Sequence, residues 1–356
     1  MSTKKSAKRR RRDAERGSVS SVTTLAGHKA PLVAGFFDTD TRSGEDAPGG
    51  SRHGNVCGQE VAYTVSSDGA IVVWEERMEL KMSYPGGIRP ATGGGAPGGD
   101  GGTLKVADGT GVWGIRTRHY LRAPGGHTTT VTAAAFSRAA GLLAVGYSNG
   151  TFSLHELRSD ARDPLAPPLA EGVPAPRESP LSTLHSLSAG TRPVRSIALS
   201  ADPDAQWVAV GMPDHAELLV WEWASEQHVL RQRGHAGGSV RAMAYSPDGA
   251  LIATGGDDGR IKLWDAAGTG LNYVTFDVHK GLPVADLTFG SGGDGKVVVS
   301  AGADGTVRAH DLVRYKNFRT FAAPKPCQFA CVVADLGGGA GAGGEGTVAA
   351  GSTDPP

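Results

Sequence analysis

Residues 234–265 read GHAGGSVRAMAYSPDGALIATGGDDGRIKLWD, and this stretch decides the fold of the chain. It opens with Gly-His, closes with Trp-Asp and holds three β-prone runs between these two pairs. Residues 246–249 (SPDG) have turn chemistry, and residues 257–259 (DDG) predict a tight hairpin. The pattern is that of one WD-repeat β-propeller blade. Because a single blade cannot bury its own faces, we expect further copies along the chain.

The spacing of a hydroxyl, an acidic residue and a ring recurs in other hairpins. In the opening stretch Thr254, Asp258 and Trp264 follow one another at intervals of 4 and 6 residues. The same intervals separate two further sets: Thr64, Asp68 and Trp74, and Ser300, Asp304 and His310. Val145, Asn149 and His155 keep the spacing with weaker chemistry. The sequence therefore predicts an all-β fold of WD40 β-propeller blades, about five complete and one truncated, forming an incomplete or open propeller.

The predicted organisation has a tail followed by one repeat region. Residues 1–26 are polar and basic without helical periodicity, which predicts a disordered tail. Residues 27–356 form the WD-repeat region, in which the second repeat is expected to span 113–157 and the third 181–232. Its Gly- and Pro-rich stretches predict low-complexity insertions at 41–59, 84–102 and 159–180. The sixth repeat is expected to stop before the strand that would carry its Trp.

The charge of the chain is unevenly placed. The formal net charge is zero, yet residues 1–16 hold 8 Lys and Arg against 2 acidic residues. Such a run is typical of a nuclear or nucleolar address, of a nucleic-acid-binding arm, or of a plain solvated tail. The candidate targeting or nucleic-acid-binding residues of this run are Lys4, Lys5, Lys8, Arg9, Arg10, Arg11 and Arg12.

The recurrent polar residues predict structural braces. In a WD blade the opening His binds the turn Asp, and a Ser or Thr hydroxyl links this His to the indole N–H. His, Asp and Ser/Thr together resemble a hydrolytic triad, but catalysis needs one site and structure needs one network in each blade. We therefore predict no catalytic, cofactor-binding or metal site, and no enzyme. The predicted braces are His28, Thr64, Asp68 and Trp74; His235, Thr254, Asp258 and Trp264; and His279, Ser300, Asp304 and His310.

The cysteine content and the hydropathy indicate the cellular compartment. Three cysteines give no disulfide framework, which suits a reducing compartment. Cys327 and Cys331 are expected on one strand as core thiols rather than as metal ligands, since no second ligand pair follows. No run of about 18 apolar residues and no signal peptide is present. We expect a soluble intracellular protein with no membrane contact and no small-molecule substrate.

Residues 311–321 (DLVRYKNFRTF) interleave cations and aromatic rings. Arg314, Lys316 and Arg319 are candidates for nucleic-acid contact. The alternative, which we favour, is an outer strand with its aromatic residues packed inward and its cations facing solvent.

Residues 311–321, with LLVWEWASEQHVLRQRGH at 218–235 and LLAVGYSNGTFSLHEL at 142–157, resemble the periodic tryptophan protein 2 family. The resemblance implies two linked propellers and a helical C-terminal region. It also implies a non-catalytic scaffold of the small-subunit processome, within the UtpB subcomplex of the U3 small nucleolar ribonucleoprotein. This chain lacks the early blades and the helical region of that plan, so we expect a partial copy.

The resemblance also implies partners and a location. The partners would be other WD-repeat and helical processome proteins, with U3 snoRNA and pre-ribosomal RNA bound indirectly or through backbone contacts. The location would be the nucleus and nucleolus. A generic WD adaptor, such as a ubiquitin-ligase substrate receptor or a coat component, is the alternative function.

Overall fold

The computed structural model describes ten ranges of the chain: 27–39, 60–77, 112–126, 128–157, 181–213, 216–236, 238–290, 295–323, 327–335 and 347–352. The regular elements in these ranges are all β-strands. The predicted tail at 1–26 and the predicted insertions at 41–59, 84–102 and 159–180 lie outside the described residues.

The strands form antiparallel meanders in chain order. The first blade contains β1 (Leu32–Thr39), β2 (Glu60–Ser66), β3 (Ala70–Arg77) and β4 (Val112–Tyr120). The second contains β5 (Val131–Ser137), β6 (Leu142–Tyr147), β7 (Thr151–Leu157) and β8 (Leu181–Ser188). The third contains β9 (Ser196–Leu199), β10 (Trp207–Gly211), β11 (Glu217–Glu222) and β12 (Gln227–Arg233).

The fourth blade contains β13 (Val240–Tyr245), β14 (Leu251–Gly256), β15 (Arg260–Asp265) and β16 (Asn272–Asp277). The fifth contains β17 (Val284–Phe289), β18 (Val297–Gly302), β19 (Thr306–Asp311) and β20 (Lys316–Ala322). The sixth sheet has two strands in the described residues, β21 (Phe329–Asp335) and β22 (Thr347–Ser352). This arrangement confirms the predicted all-β fold of five complete blades and one partial blade.

Burial explains which residues form which strand. The second strand of each blade is mostly buried and mostly apolar, as in β6, β10 and β14. A strand covered on both faces needs no polar alternation. The fourth strands lie outermost, and every residue of β20 is exposed. The hairpin before β15 turns at Gly259, whose φ of +71° suits a residue without a Cβ.

Neighbouring blades pack through their first strands in chain order, from β1 on β5 to β17 on β21. Side chains also join the blades. Thr132 Oγ1 in β5 donates to the Val194 carbonyl across 2.7 Å. The Asp286 carboxylate in β17 accepts the backbone N–H of Val332 in β21 at 2.8 Å. The two-stranded sheet is therefore tied to the fifth blade in the way that complete blades are tied to each other.

The predicted second and third repeats each begin with a strand that pairs with the preceding blade. The strand at 112–120 pairs with β3, and the strand at 181–188 pairs with β7, so each closes the preceding blade. Long insertions separate both strands from their partners in sequence. The pairing survives because the entropy of closing a loop grows only slowly with loop length.

Candidate functional site

The brace of the fourth blade is a linear chain of hydrogen bonds. His235 Nδ1 lies 2.9 Å from Asp258 Oδ1, and His235 Nε2 lies 2.8 Å from Thr254 Oγ1. Trp264 Nε1 donates to the same Thr254 hydroxyl across 2.8 Å. Because a carboxylate only accepts, His235 donates from Nδ1 and accepts the Thr254 O–H at Nε2. Every donor in this buried chain has one acceptor.

Electrostatics fix the charge states of this brace. Burial lowers the pKa of His235, so the imidazole is neutral at physiological pH. Burial opposes ionisation of Asp258, but the Ala236 amide and His235 donate to its carboxylate and hold its pKa below the ordinary value. A neutral imidazole between an ionised carboxylate and a hydroxyl holds strands together without any exposed reactive atom.

The brace of the first blade contains a residue that the sequence pattern misses. His28 Nε2 lies 2.7 Å from Thr64 Oγ1, which accepts the Trp74 indole N–H at 2.7 Å. His28 Nδ1 lies 2.8 Å from Ser66 Oγ, and Ser66 donates to Asp68 at 2.5 Å. The prediction of a direct His28–Asp68 bond is therefore wrong. The extra hydroxyl of Ser66 fills the gap between the two side chains.

The hydrogen-bond network of the fifth blade stops at Ser300 and does not include the ring of His310. His279 Nδ1 lies 2.9 Å from Asp304 Oδ1, and His279 Nε2 lies 3.0 Å from Ser300 Oγ. His310 occupies the position of the indole, but its Nδ1 is buried without a hydrogen-bond partner. Its ring packs on Phe276 with a centroid separation of 5.1 Å. The prediction that His310 joins this network is corrected: the shorter imidazole fills the space of the indole ring without replacing its bond.

The second blade uses a different chain of side chains, which the repeat pattern did not reveal. Tyr147 Oη lies 2.8 Å from Ser153 Oγ, which lies 2.7 Å from His155 Nε2. Thr183 Oγ1 in the outer strand lies 3.2 Å from His155 Nδ1. Val145 takes the place of the usual hydroxyl residue, so Tyr147 supplies the hydroxyl from two positions later. Burial lowers the pKa of His155 to about 4.

The polar side chains of the braces are used within the blades and are not presented to a substrate. Each one is directed into its own blade, and the side chains that link its strands are mostly buried. Among the described residues, no three His, Cys, Asp or Glu side chains are grouped as metal ligands would be. Cys331 is exposed and Cys327 precedes β21, so the prediction of two core thiols on one strand is wrong. None of the described ranges contains a helix of the length and hydropathy needed to cross a bilayer.

The strand at 316–322 places the second set of predicted residues on the outer rim of the fifth blade. The prediction of an outer strand is confirmed, because among the described strands β20 pairs with β19 alone. The prediction that its aromatic residues pack inward is wrong: Phe318 is 56% exposed and Phe321 is 41% exposed. An outer strand has a neighbour on one side only, so its rings are left open to solvent.

The cations of this rim are close to the exposed rings. The Arg319 guanidinium lies 5.4 Å from the centroid of the Phe321 ring, a cation–π distance. The Arg314 guanidinium lies 4.0 Å from the Asp311 carboxylate, and Lys316 is exposed at the start of β20. The other predicted cations, from Lys4 to Arg12, lie outside the described residues.

Comparison with known proteins identifies one repeat and several long relatives. The family described as "WD domain, G-beta repeat" matches residues 226–265. The periodic tryptophan protein 2 homolog of Dictyostelium discoideum is 39% identical over 197 residues, 55% of this chain and 18% of that protein. The Mus musculus homolog is 33% identical over 338 residues, 88% of this chain and 31% of that protein. The chain thus spans less than a third of these curated relatives, and they confirm the resemblance to the periodic tryptophan protein 2 family.

Two further similarities concern shorter or more distant matches. The Mycosarcoma maydis "Ribosome biogenesis protein ERB1" is 46% identical over 50 residues, 14% of this chain and 5% of that protein. A solved structure titled "Crystal Structure of Mitotic Checkpoint Complex" matches with a TM-score of 0.50 at 14% identity, covering 77% of this chain and 65% of the matched chain. At that identity the likeness shows the fold alone.

Proposed function

We propose that this chain, which resembles the periodic tryptophan protein 2 family along most of its length, is a WD-repeat ribosome-biogenesis factor. In its finer form the proposal is a non-catalytic scaffold of the small-subunit processome that supports maturation of small-subunit rRNA. The observation that carries it is the 33% identity with the mouse homolog across 88% of this chain. Similarity of that extent includes the outer strands as well as the generic blade motifs.

The geometry supports a scaffold rather than an enzyme. The His, Asp and Ser/Thr side chains that resemble a triad are used within single blades, where they satisfy one another. Buried polar groups that are fully paired stabilise a fold and leave no free base or nucleophile. Function then resides on the surfaces that the blades expose.

The proposal includes partners and a location. The partners are other WD-repeat and helical processome proteins, together with U3 snoRNA and pre-ribosomal RNA. The location is the nucleolus, and the basic run from Lys4 to Arg12 would serve as the address. The alternative is a generic WD adaptor, for example a ubiquitin-ligase substrate receptor or a coat component, which the generic blade motif at 226–265 would equally suit.

The test is to recover the tagged full chain from cells and to measure U3 snoRNA and processome proteins in the recovered material. We expect enrichment of both, and nucleolar staining that is lost when the seven cations between Lys4 and Arg12 are changed to Gln. The matched control exchanges Lys and Arg at the same seven positions, which leaves the charge of the run unaltered. Diffuse cytoplasmic staining without U3 snoRNA would reject the processome and favour the adaptor.

A further inference from the structure

The outer strands share a bulge, and in four of the blades the residue at the bulge has an exposed side chain. Where the outer strand pairs with the third strand, the register skips one residue in every complete blade. Such a bulge leaves one residue unpaired and re-aims its side chain. In β8, β12, β16 and β20 the skipped residues are Leu184, Val229, Tyr273 and Phe318, and all four are exposed.

In the fourth and fifth blades this position is aromatic, and a third ring joins the two blades. Tyr315, in the turn before β20, contacts Tyr273 of β16 with centroids 6.0 Å apart and planes at 69°, and the two hydroxyls are hydrogen-bonded. Tyr315 has a φ of +52°. That left-handed conformation is costly for a bulky side chain, of the order of 1–3 kcal/mol. Glu226 has a φ of +56° in the equivalent turn of the third blade, so the conformation belongs to the turn, whereas a ring that is 44% exposed is particular to Tyr315.

Two of the cations around these rings have no acidic partner in the part of the chain that the structure describes. Neither Lys316 nor Arg319 forms an ion pair there. The outer strand of the third blade gives the contrast, because Arg231 and Arg233 both bind the buried Glu217 at 3.0 and 2.5 Å. The cations of β12 are therefore used within the fold, whereas those of β20 are free to meet an external anion.

We propose that the aromatic rim, defined as Tyr273, Tyr315, Lys316, Phe318 and Arg319, binds single-stranded RNA. The rings stack on unpaired bases, and the two cations contact the phosphates. The inference rests on the proposed function and deepens it, since it replaces an indirect or backbone contact with RNA by stacking at a defined surface. Single-stranded RNA is favoured over a duplex because duplex bases are stacked within the helix and cannot reach protein rings.

An acidic protein surface is the competing partner, and the rings argue against it. The carboxylates of such a partner would pair with the cations of β20 but offer no planar group on which the exposed ring faces could stack. Stacking of RNA bases covers those ring faces and tolerates any base. The bulge position also places Tyr273 and Phe318 on adjacent blades, and Tyr315 of the fifth blade contacts Tyr273 of the fourth, so rings of both blades share this rim.

The experiment measures binding of a short fluorescent, unstructured RNA of mixed sequence to the purified full chain by anisotropy. All proteins carry Gln at the seven positions of the basic run, so that the tail does not mask the rim. The test variants are Phe318→Ala and Tyr315→Asn, since Asn tolerates the left-handed backbone at 315. The matched control is Val229→Ala, the same bulge position in β12. Thermal melting confirms that each variant is folded.

We expect Phe318→Ala and Tyr315→Asn each to weaken binding roughly 5- to 100-fold, the range for loss of one base–ring stack. Val229→Ala should leave the Kd unchanged. Lys316→Gln should lower the slope of log K against log salt by about 0.7, the loss of one phosphate contact on a single strand. A duplex of the same sequence should bind more weakly than the single strand.

Three outcomes overturn the inference. Unchanged binding by both aromatic variants would show that the rings do not stack on bases. Equal binding of duplex and single strand would show that the surface binds RNA through charge alone. No RNA binding by the purified chain, with loss of processome proteins from Phe318→Ala in the cellular pull-down, makes the rim a protein interface. In each case the proposed function still stands if U3 snoRNA is recovered with the unaltered chain. Rim-dependent binding in vitro without U3 snoRNA in cells rejects that function and keeps the RNA surface.

Discussion

The indole N–H of Trp264 donates to Thr254 Oγ1 across 2.8 Å, and this hydroxyl is fully buried. The same oxygen lies 2.8 Å from His235 Nε2. One hydroxyl therefore satisfies two buried rings that come from different parts of the blade. Its removal would leave both without a partner, and leaving a buried polar group unpaired costs about 1–3 kcal/mol.

Thr254→Val tests this hub with little change of shape. We expect the free energy of unfolding to fall by about 2–4 kcal/mol, because an indole N–H and an imidazole nitrogen lose their partner. Chemical denaturation followed by fluorescence measures the change. Thr254→Ser keeps the hydroxyl and serves as the control, for which we expect a loss of less than about 1 kcal/mol. Equal losses for Val and Ser would show that packing of the methyl group, not the hydroxyl, matters at this position.

Trp264→Ala tests the ring itself. Trp264 is 2% exposed and packs with Leu218, Val220 and Ile252, so truncation leaves a cavity as well as an unpaired hydroxyl. We expect a loss of about 3–5 kcal/mol in stability, which a melting curve detects. Trp264→Phe retains most of the apolar surface but lacks the N–H, and we expect an intermediate loss. An unchanged melting temperature for the Ala variant would contradict a structural role for the brace.

The repeat pattern predicted the blades because each blade must solve the same packing problem. A buried second strand and a tight hairpin restrict which residues fit, as the apolar residues of β14 and the glycine at 259 show. The outer strands leave weaker marks, since a strand with one neighbour accepts many residue types. For that reason the sequence did not show that the strands at 112–120 and 181–188 close the blades that precede them.

The braces were predictable in position and less so in connectivity. Equal spacing placed Ser300, Asp304 and His310 on one hairpin, but it did not show whether the ring of His310 reaches the hydroxyl. It also hid Ser66, which lies two residues after Thr64 and completes the first brace. Hydrogen bonds depend on tenths of an ångström, and residue spacing fixes only which strand and face a side chain occupies.

His310→Phe should make the fifth blade more stable at neutral pH. Nδ1 of His310 is buried and unpaired, so an apolar ring of similar shape removes an unsatisfied group and keeps the contact with Phe276. We expect a gain of about 1 kcal/mol. Calorimetry at pH 7 measures it. The control is His279→Phe, which removes a hydrogen-bonded imidazole and should be destabilising. A loss of stability in His310→Phe would mean that the imidazole has a favourable role in this pocket.

Stability of the chain should fall as the pH drops below about 6.5. Burial lowers the pKa of His155 and of His310 to about 4. Between pH 6.5 and 4 the unfolded chain binds protons at these positions and the native chain does not. Each histidine then costs about 1.4 kcal/mol per pH unit across that window. Asp286 has the opposite sign, since burial raises its pKa to about 6 and the native state takes up a proton there.

Melting curves between pH 7.5 and 4.5 measure this dependence. We expect the melting temperature to fall toward acid, with a shallower decline in His310→Phe, which lacks one of the two titrating imidazoles. Asp286→Asn removes the opposing group, so its decline should be steeper than that of the unaltered chain. A flat profile for all three proteins would contradict neutral, buried histidines in the native state.

The ion pairs of Glu217 predict that removing the two arginines destabilises the chain more than removing the carboxylate does. Glu217 is buried, whereas the side chains of Arg231 and Arg233 that bind it are 59% and 61% exposed. Burial alone would raise the pKa of Glu217, but the two guanidinium groups outweigh it and hold the pKa low. Replacing both arginines by Ala leaves an uncompensated buried carboxylate, for which we expect a loss of about 3 kcal/mol.

Glu217→Gln should cost less, because both guanidinium groups can turn into water once the carboxylate is gone. Urea denaturation of the two proteins at pH 7 gives the comparison. Lowering the pH should narrow the difference, since Glu217 without its arginines binds a proton more readily in the native state than in the unfolded chain. If Glu217→Gln is the more destabilising change at pH 7, the carboxylate contributes through its hydrogen-bond geometry rather than through the desolvation that its arginines offset.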